Sequence, residues 1–247
     1  HLAAWERDPL NTPLGLILSM EGADPIAWPS QVYAWWADGL RVVSLSHYGL
    51  SAYAHGHDLT GGLSAAGRQL LAHMEDVGMI LDLSHLADQA FCEALDAFGG
   101  AVLASHNNCR ALVPDGRQFS DEMLRAIFQR QGVVGVALDA WMLYPGWVRG
   151  QTSPEVVSLE AVADQIDHLC QLAGNAEHAA IGSDLDGGYG TEQTPHDLDT
   201  IADLQKVPAL LERRGYAATD IAAIMHGNWL RLWQRAWAAP TEAALAG

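Results

Sequence analysis

Ile80-Leu81-Asp82-Leu83-Ser84-His85 (ILDLSH, 80–85) is a short apolar run that stops on a polar Ser-His pair. The same ending closes VVSLSH (42–47) and AVLASH (101–106). Short runs that are apolar nearly throughout, bounded by glycine or polar residues, suit parallel strands covered on both faces. The chain offers such runs at 14–19, 41–46, 79–84, 101–105, 133–138 and 179–183. Helical stretches fall between and after them. Residues 64–77 start at the N-cap Ser64 and end before Gly78, 121–131 follow Ser120, and 159–173 follow Ser158 and end before Gly174. Residues 86–98, 198–214 and 219–237 read as further amphipathic helices. Alternation of this kind predicts an α/β fold of parallel βαβ units, either a (β/α)8 TIM-barrel-like closure or an open sheet.

Composition narrows the function. The chain has 247 residues, 49% hydrophobic and 17% charged, a length that one large α/β barrel or two ordinary domains could fill and a composition too apolar for a disordered chain. A formal charge of −17 speaks against nucleic acid, which is held through Lys and Arg on phosphates, and against anionic lipid. No apolar run approaches the ~20 residues of a membrane span. Cys92, Cys109 and Cys170 form neither a CxxC pair nor a disulfide framework, and a reduced, cytoplasmic setting is the expectation.

The chemistry gathers at strand ends. Glu21 follows the first run, His47, His85 and His106 end the next three, and Asp184 ends the last in IGSDLDG. In a barrel of alternating strands and helices those ends open onto one face, where active sites sit. A single Ser-His at a strand end is more simply a satisfied histidine, but the repeated placement points to one shared pocket. Imidazole and carboxylate together suit a zinc-type ion, with bonds of about 2.0–2.2 Å. A carboxylate can also bridge two ions ~3.5–4 Å apart, which makes a hydroxide available at neutral pH. A serine nucleophile fits less well: there is no GxSxG elbow. The Gly-rich GGYG (187–190) lacks the GxGxxG context of a nucleotide site.

At these residues the sequence resembles the membrane (renal) dipeptidases, zinc peptidases on an amidohydrolase-like barrel. The matching pieces are SMEGADPI (19–26), LSHYG (45–49), GLSAAGRQLL (62–71), GMILDLSH (78–85), AVLASHNN (101–108), IGSDLDG (181–187) and HGNWLRLW (226–233). The resemblance implies hydrolysis of dipeptides with a free C-terminal carboxylate by a metal-activated hydroxide. It makes Glu21 the bridging carboxylate, with His85 and His106 as further metal ligands. His47 would polarise the scissile carbonyl as well as contact substrate. Arg117, in VPDGRQFSD, would grip the terminal carboxylate, and Asp184 would shuttle the proton, with Asp186 as the weaker choice.

The chain departs from the family in one respect: no His-x-Asp precedes Glu21. The resemblance therefore implies that strands 3–8 of the barrel are represented and that the first two are missing, and with them the first metal site. Two zinc ions are expected if that His-x-Asp is supplied, and one otherwise. His57-Asp58 is expected in a surface loop or lid, and His1 at a frayed terminus. A barrel amidohydrolase acting on another small amide or lactam, and a silent relative that binds a small ligand, are the alternatives. The oligomeric state, a homodimer included, is left open.

Overall fold

The computed structural model describes residues 7, 8 and 10–238; His1 lies outside them. Six parallel strands follow one another in space as in sequence: β1 (Leu18–Met20), β2 (Leu40–Ser44), β3 (Ile80–Asp82), β4 (Val102–Leu103), β5 (Val134–Val136) and β6 (Ala179–Ile181). β1 to β4 form one sheet and β5 pairs with β6. A parallel bridge from Ala104 to Val134 joins the two. The helices α1 (Val32–Ala37), α2 (Ala65–Val77), α3 (Asp88–Ala97), α4 (Asp121–Gln129), α5 (Ala140–Leu143) and α6 (Leu159–Ala173) fill the intervals, and α7 (Val207–Arg213), α8 (Ala218–Ala222) and α9 (Asn228–Ala236) close the chain.

The strands read as apolar throughout because both faces are covered. Val43, Leu81, Val102 and Val134 belong to the main core with Leu70, Phe91, Leu124 and Ile166 of the helices. The alternate residues Val42, Ile80, Leu103 and Ala180 pack instead with Leu232 of α9, against which Trp229, Trp233 and Trp237 lie. Those three indoles stack at 5.6 and 5.5 Å, a packing role like the one their helical spacing suggests. Gly135 and Gly182 are needed where β5 and β6 meet: a Cβ on Gly182 would lie 1.9 Å from the Ser105 carbonyl oxygen and 2.8 Å from Gly135 Cα.

Several elements differ from their sequence reading. Residues 14–17 extend no strand; Leu14 and Leu16 are 80% and 88% exposed, and pairing with β2 begins only at Leu18. The stretch 198–214 is two helices. A Thr200–Asp203 capping box starts a 3-10 segment, Ile201–Lys206, and Pro208 sits in the first turn of α7, where its missing N–H does no harm. The stretch 219–237 is interrupted by a π-helical turn, Ala223–Gly227, just before Asn228. Buried Asn228 donates to the carbonyls of Ala176 and Ala179, both at 2.7 Å, and thereby fixes α9 against the entry to β6. The short α1, which has no long apolar stripe, was not evident in the sequence.

Candidate metal centre

Strand register sets the height of the histidines. Ser44 pairs with Asp82, and Asp82 with Leu103. Each of these residues lies three positions before a histidine, so His47, His85 and His106 leave their strands at one level. Glu21 follows β1 directly. Its Oε1 lies 2.8 Å from His85 Nε2, 3.1 Å from His106 Nε2 and 3.8 Å from His47 Nε2. The two nitrogens Nε2 of His85 and His106 are 2.9 Å apart. The His47 ring stands edge-on to His85 at 4.5 Å.

These residues suit a divalent ion. Ligands at ~2.0–2.1 Å on a tetrahedral zinc stand about 3.3 Å from one another, and the donor atoms of Glu21, His85 and His106 already form a triangle with sides of 2.8 to 3.1 Å. Two imidazoles and a carboxylate are a zinc-type donor set, and these residues are the group of ligand type that converges among the described residues. Burial, then the charge of Arg117, lowers the His85 pKa to about 2, so its ring is neutral and can offer a lone pair. Burial alone would raise the Glu21 pKa, but hydrogen bonds with His106 and His85 outweigh it and hold the carboxyl far below its usual range.

Asp82 and the serines of the Ser-His pairs orient this triangle. Ser105 Oγ donates to Asp82 Oδ2 at 2.5 Å and lies 2.7 Å from His106 Nδ1. With its hydrogen directed at Asp82, the hydroxyl can accept from His106 Nδ1–H; this is the tautomer in which Nε2 would offer its lone pair to an ion. The backbone N–H groups of Ser84 and Ser105 both donate to Asp82 Oδ1 at 3.0 Å. Ser84 Oγ in turn accepts from the His106 N–H at 3.3 Å. Removing such an orienting partner typically costs ~10–100-fold in metal affinity. Ser105→Ala is therefore expected to weaken zinc binding by that factor in a chelator-competition titration; unchanged affinity would remove the serine from this role.

Other expected residues are placed less simply. Asp184 follows β6 with φ of 55°, and His85 has φ of 69°. Both are left-handed positions, uncommon for residues other than glycine and typical of functional turns. The Asp184 carboxylate leans on Gly187, where a Cβ would come within 2.6 Å of its oxygens. Burial raises its pKa against the pull of His106. Arg117 reaches the cluster from inside. It is 1% exposed, and its Nη2 donates to the His106 carbonyl at 2.7 Å and lies 3.2 Å from His85 Nε2. Its Nη1 donates to Asn107 Oδ1. The guanidinium thus sits beneath the histidines and is satisfied by the chain itself.

Comparison with known proteins decides the family. The sequence profile of the membrane dipeptidase family (peptidase family M19) matches residues 3–245. The chain belongs to this family. An uncharacterized dipeptidase of Schizosaccharomyces pombe is 28% identical over 239 residues, 95% of this chain and 56% of that protein. A dipeptidase of Aspergillus oryzae is 30% identical over 224 residues, 87% of this chain and 50% of that one. A metallo peptidase of Rhodobacter sphaeroides, solved with a phosphinate mimic of the dipeptide L-Ala-D-Ala, superposes with a TM-score of 0.79 at 28% identity, covering 90% of this chain and 63% of that one. The chain thus spans about half the length of these curated relatives.

Two features of this membrane dipeptidase family member escape a reading of strand ends. His57 lies in a turn whose next residues, Asp58 to Thr60, are exposed as a surface loop would be, but its own side chain is turned inward. Its backbone N–H donates to the His85 carbonyl at 2.8 Å, and its ring lies 5.1 Å from that of His85. Burial lowers its pKa to about 4, so it backs His85 as a neutral ring. The second is Asp139, beyond β5, 4% exposed and capping α5 through the Trp141 N–H. Gln193 Nε2 donates to both its oxygens at 2.8 Å, and burial raises its pKa to about 6. It is a strand-end carboxylate like Asp184, and the run VVGVALD carried that signal.

Proposed function

We propose that this chain carries the catalytic face of a zinc-dependent dipeptidase that cleaves dipeptides with a free C-terminal carboxylate. The observation that carries the reading is the donor triangle of Glu21, His85 and His106 at the level strand ends. A bound zinc ion would polarise the scissile carbonyl and acidify the attacking water. Asp184 would take the proton of that water on its carboxylate and deliver it to the leaving amine nitrogen. His47, about half exposed beside Glu21, would hydrogen-bond the carbonyl oxygen as charge develops there. Arg117 would hold the terminal carboxylate, exchanging the Asn107 oxygen for it; its Nη2, 3.2 Å from His85 Nε2, supports this role.

The same reading assigns β1 to β6 to strands 3–8 of an eight-stranded barrel within one domain. Leu14 and Leu16, exposed just before β1, and Leu18, exposed at its start, are the support, because a further strand there would cover them. A second ion would then need ligands from that added part. The test is hydrolysis of L-Ala-D-Ala, its L,L counterpart and their C-terminal amides by zinc-loaded protein. The free dipeptides should be cleaved, the amides poorly, and a chelator should abolish the activity. No cleavage of any free dipeptide by protein shown to contain zinc would overturn the proposal.

A further inference from the structure

Thirteen Lys and Arg residues face thirty acids in this chain, and their guanidinium groups are mostly spent on the protein itself. Arg68 pairs with Glu93, Arg110 with Asp88, and Arg213 and Arg214 with Glu160. Arg41, Arg117, Arg130, Arg231 and Arg235 donate through their Nη atoms to carbonyl or amide oxygens. Arg149 is used differently. Its Nε donates to Gln193 Oε1 at 2.9 Å, and neither Nη has a hydrogen bond or an ion pair within the described residues.

The Nε contact is a brace. Gln193 is 3% exposed and is itself clamped on both oxygens of buried Asp139. A buried chain therefore runs from the end of β5 to the guanidinium and fixes its direction before any ligand arrives, which lowers the entropy cost of binding. Arg149 lines a cavity of about 330 Å³ together with Thr152, Tyr189, Glu192 and Gln193. Two observations relate that cavity to the strand-end residues Asp184 and His47. Its wall is the loop that follows Asp184, and Tyr189 donates to the Ser183 carbonyl at 3.3 Å. Burial raises the Tyr48 pKa against the charges of Arg117 and Arg149, and the Tyr48 ring stands 4.5 Å from that of His47.

A guanidinium held by Nε, with both Nη atoms free, presents the two parallel donors that match a carboxylate. We infer that Arg149 makes this cavity a subsite for a carboxylate side chain, so that the chain selects dipeptides containing glutamate or aspartate. The inference deepens the dipeptidase reading and rests on it for the identity of the ligand. The surroundings sharpen the expectation. Glu192 lines the cavity, and the charges of Asp184, Asp139 and Asp186 act on the Tyr189 hydroxyl, so without Arg149 this field would repel an acidic side chain.

The test compares kcat/KM of the zinc-loaded protein for Glu-Ala against Gln-Ala, and for Ala-Glu against Ala-Gln, in the parent and in Arg149→Gln. In at least one position the acid should be preferred over its amide about tenfold or more, and in Arg149→Gln that ratio should fall to one or invert. A merely structural role would lower both members of a pair alike and leave the ratio standing, which would overturn the inference, as would equal use of acid and amide by the parent. If no dipeptide is cleaved, the functional reading fails by itself. Calorimetric binding of the same four dipeptides then decides the subsite: tighter binding of an acid that Arg149→Gln abolishes sustains it, and equal binding of acid and amide refutes it.

Discussion

His106→Ala is expected to strip the chain of its metal and, with it, of hydrolysis. His106 Nε2 stands 3.1 Å from Glu21 Oε1 and 2.9 Å from His85 Nε2, so its loss leaves an imidazole and a carboxylate where three donors converged. Partners that only orient a ligand already change affinity by ~10–100-fold; loss of the ligand itself should exceed about 100-fold. The fold should survive. The residue follows the short strand β4 at the mouth of the sheet, and the core contacts of Val102 and Ala104 do not involve the ring. Zinc per chain after dialysis, read beside the circular dichroism spectrum, is the measurement. Full zinc retention by a folded His106→Ala protein would take His106 out of the ligand set.

The second large effect is expected at Asp184. Proton transfer by a positioned carboxylate contributes ~10²–10⁴-fold, or about 3–5 kcal/mol of barrier. Asp184→Asn should lower kcat by that order while zinc content stays near that of the parent. Asparagine is a fair probe because it tolerates the left-handed backbone that Asp184 adopts at φ 55°. It also fills the same space against Gly187. Asp186 is exposed two positions on, and Asp186→Asn should lose far less. A near-normal kcat for Asp184→Asn would refute the assignment, and a collapse confined to Asp186→Asn would transfer the role to that residue.

How much of this was legible in the sequence depends on how local the signal was. The level of the histidines is local: each strand is short, apolar and ends on Ser-His, and parallel register does the rest. Glu21, His47, His85 and His106 therefore share one pocket, as the strand ends imply. The helices with a serine N-cap and a glycine just past the end were legible for the same reason; α2 has Ser64 accepting from Gly67 N and Gly78 at φ 74°. Asp82 carries no such local signal: it sits inside a run that reads as a strand, and only its contact with Ser105 shows it to be the anchor of that serine and so of His106.

What depends on distant partners was not legible. The loop that carries His57 folds back onto the His85 segment through two backbone hydrogen bonds, His57 N–H to the His85 carbonyl and Ala87 N–H to the His55 carbonyl, and nothing near His57 in sequence announces it. Arg117 reads as a free guanidinium a short way past a metal ligand, whereas the chain around it bends so that Asn107 and the His106 carbonyl take up its donors. The run at 14–17 is as apolar as any strand, but no neighbour covers its outer side, and composition alone does not reveal which runs find partners.

The central claim is that Glu21, His85 and His106 together hold one divalent ion. Anomalous diffraction at the zinc edge, from crystals grown with zinc, tests it most directly. The account predicts a strong peak about 2.0–2.2 Å from Glu21 Oε1, His85 Nε2 and His106 Nε2. A map with no peak among these three atoms, or with zinc bound only by other residues, would contradict it.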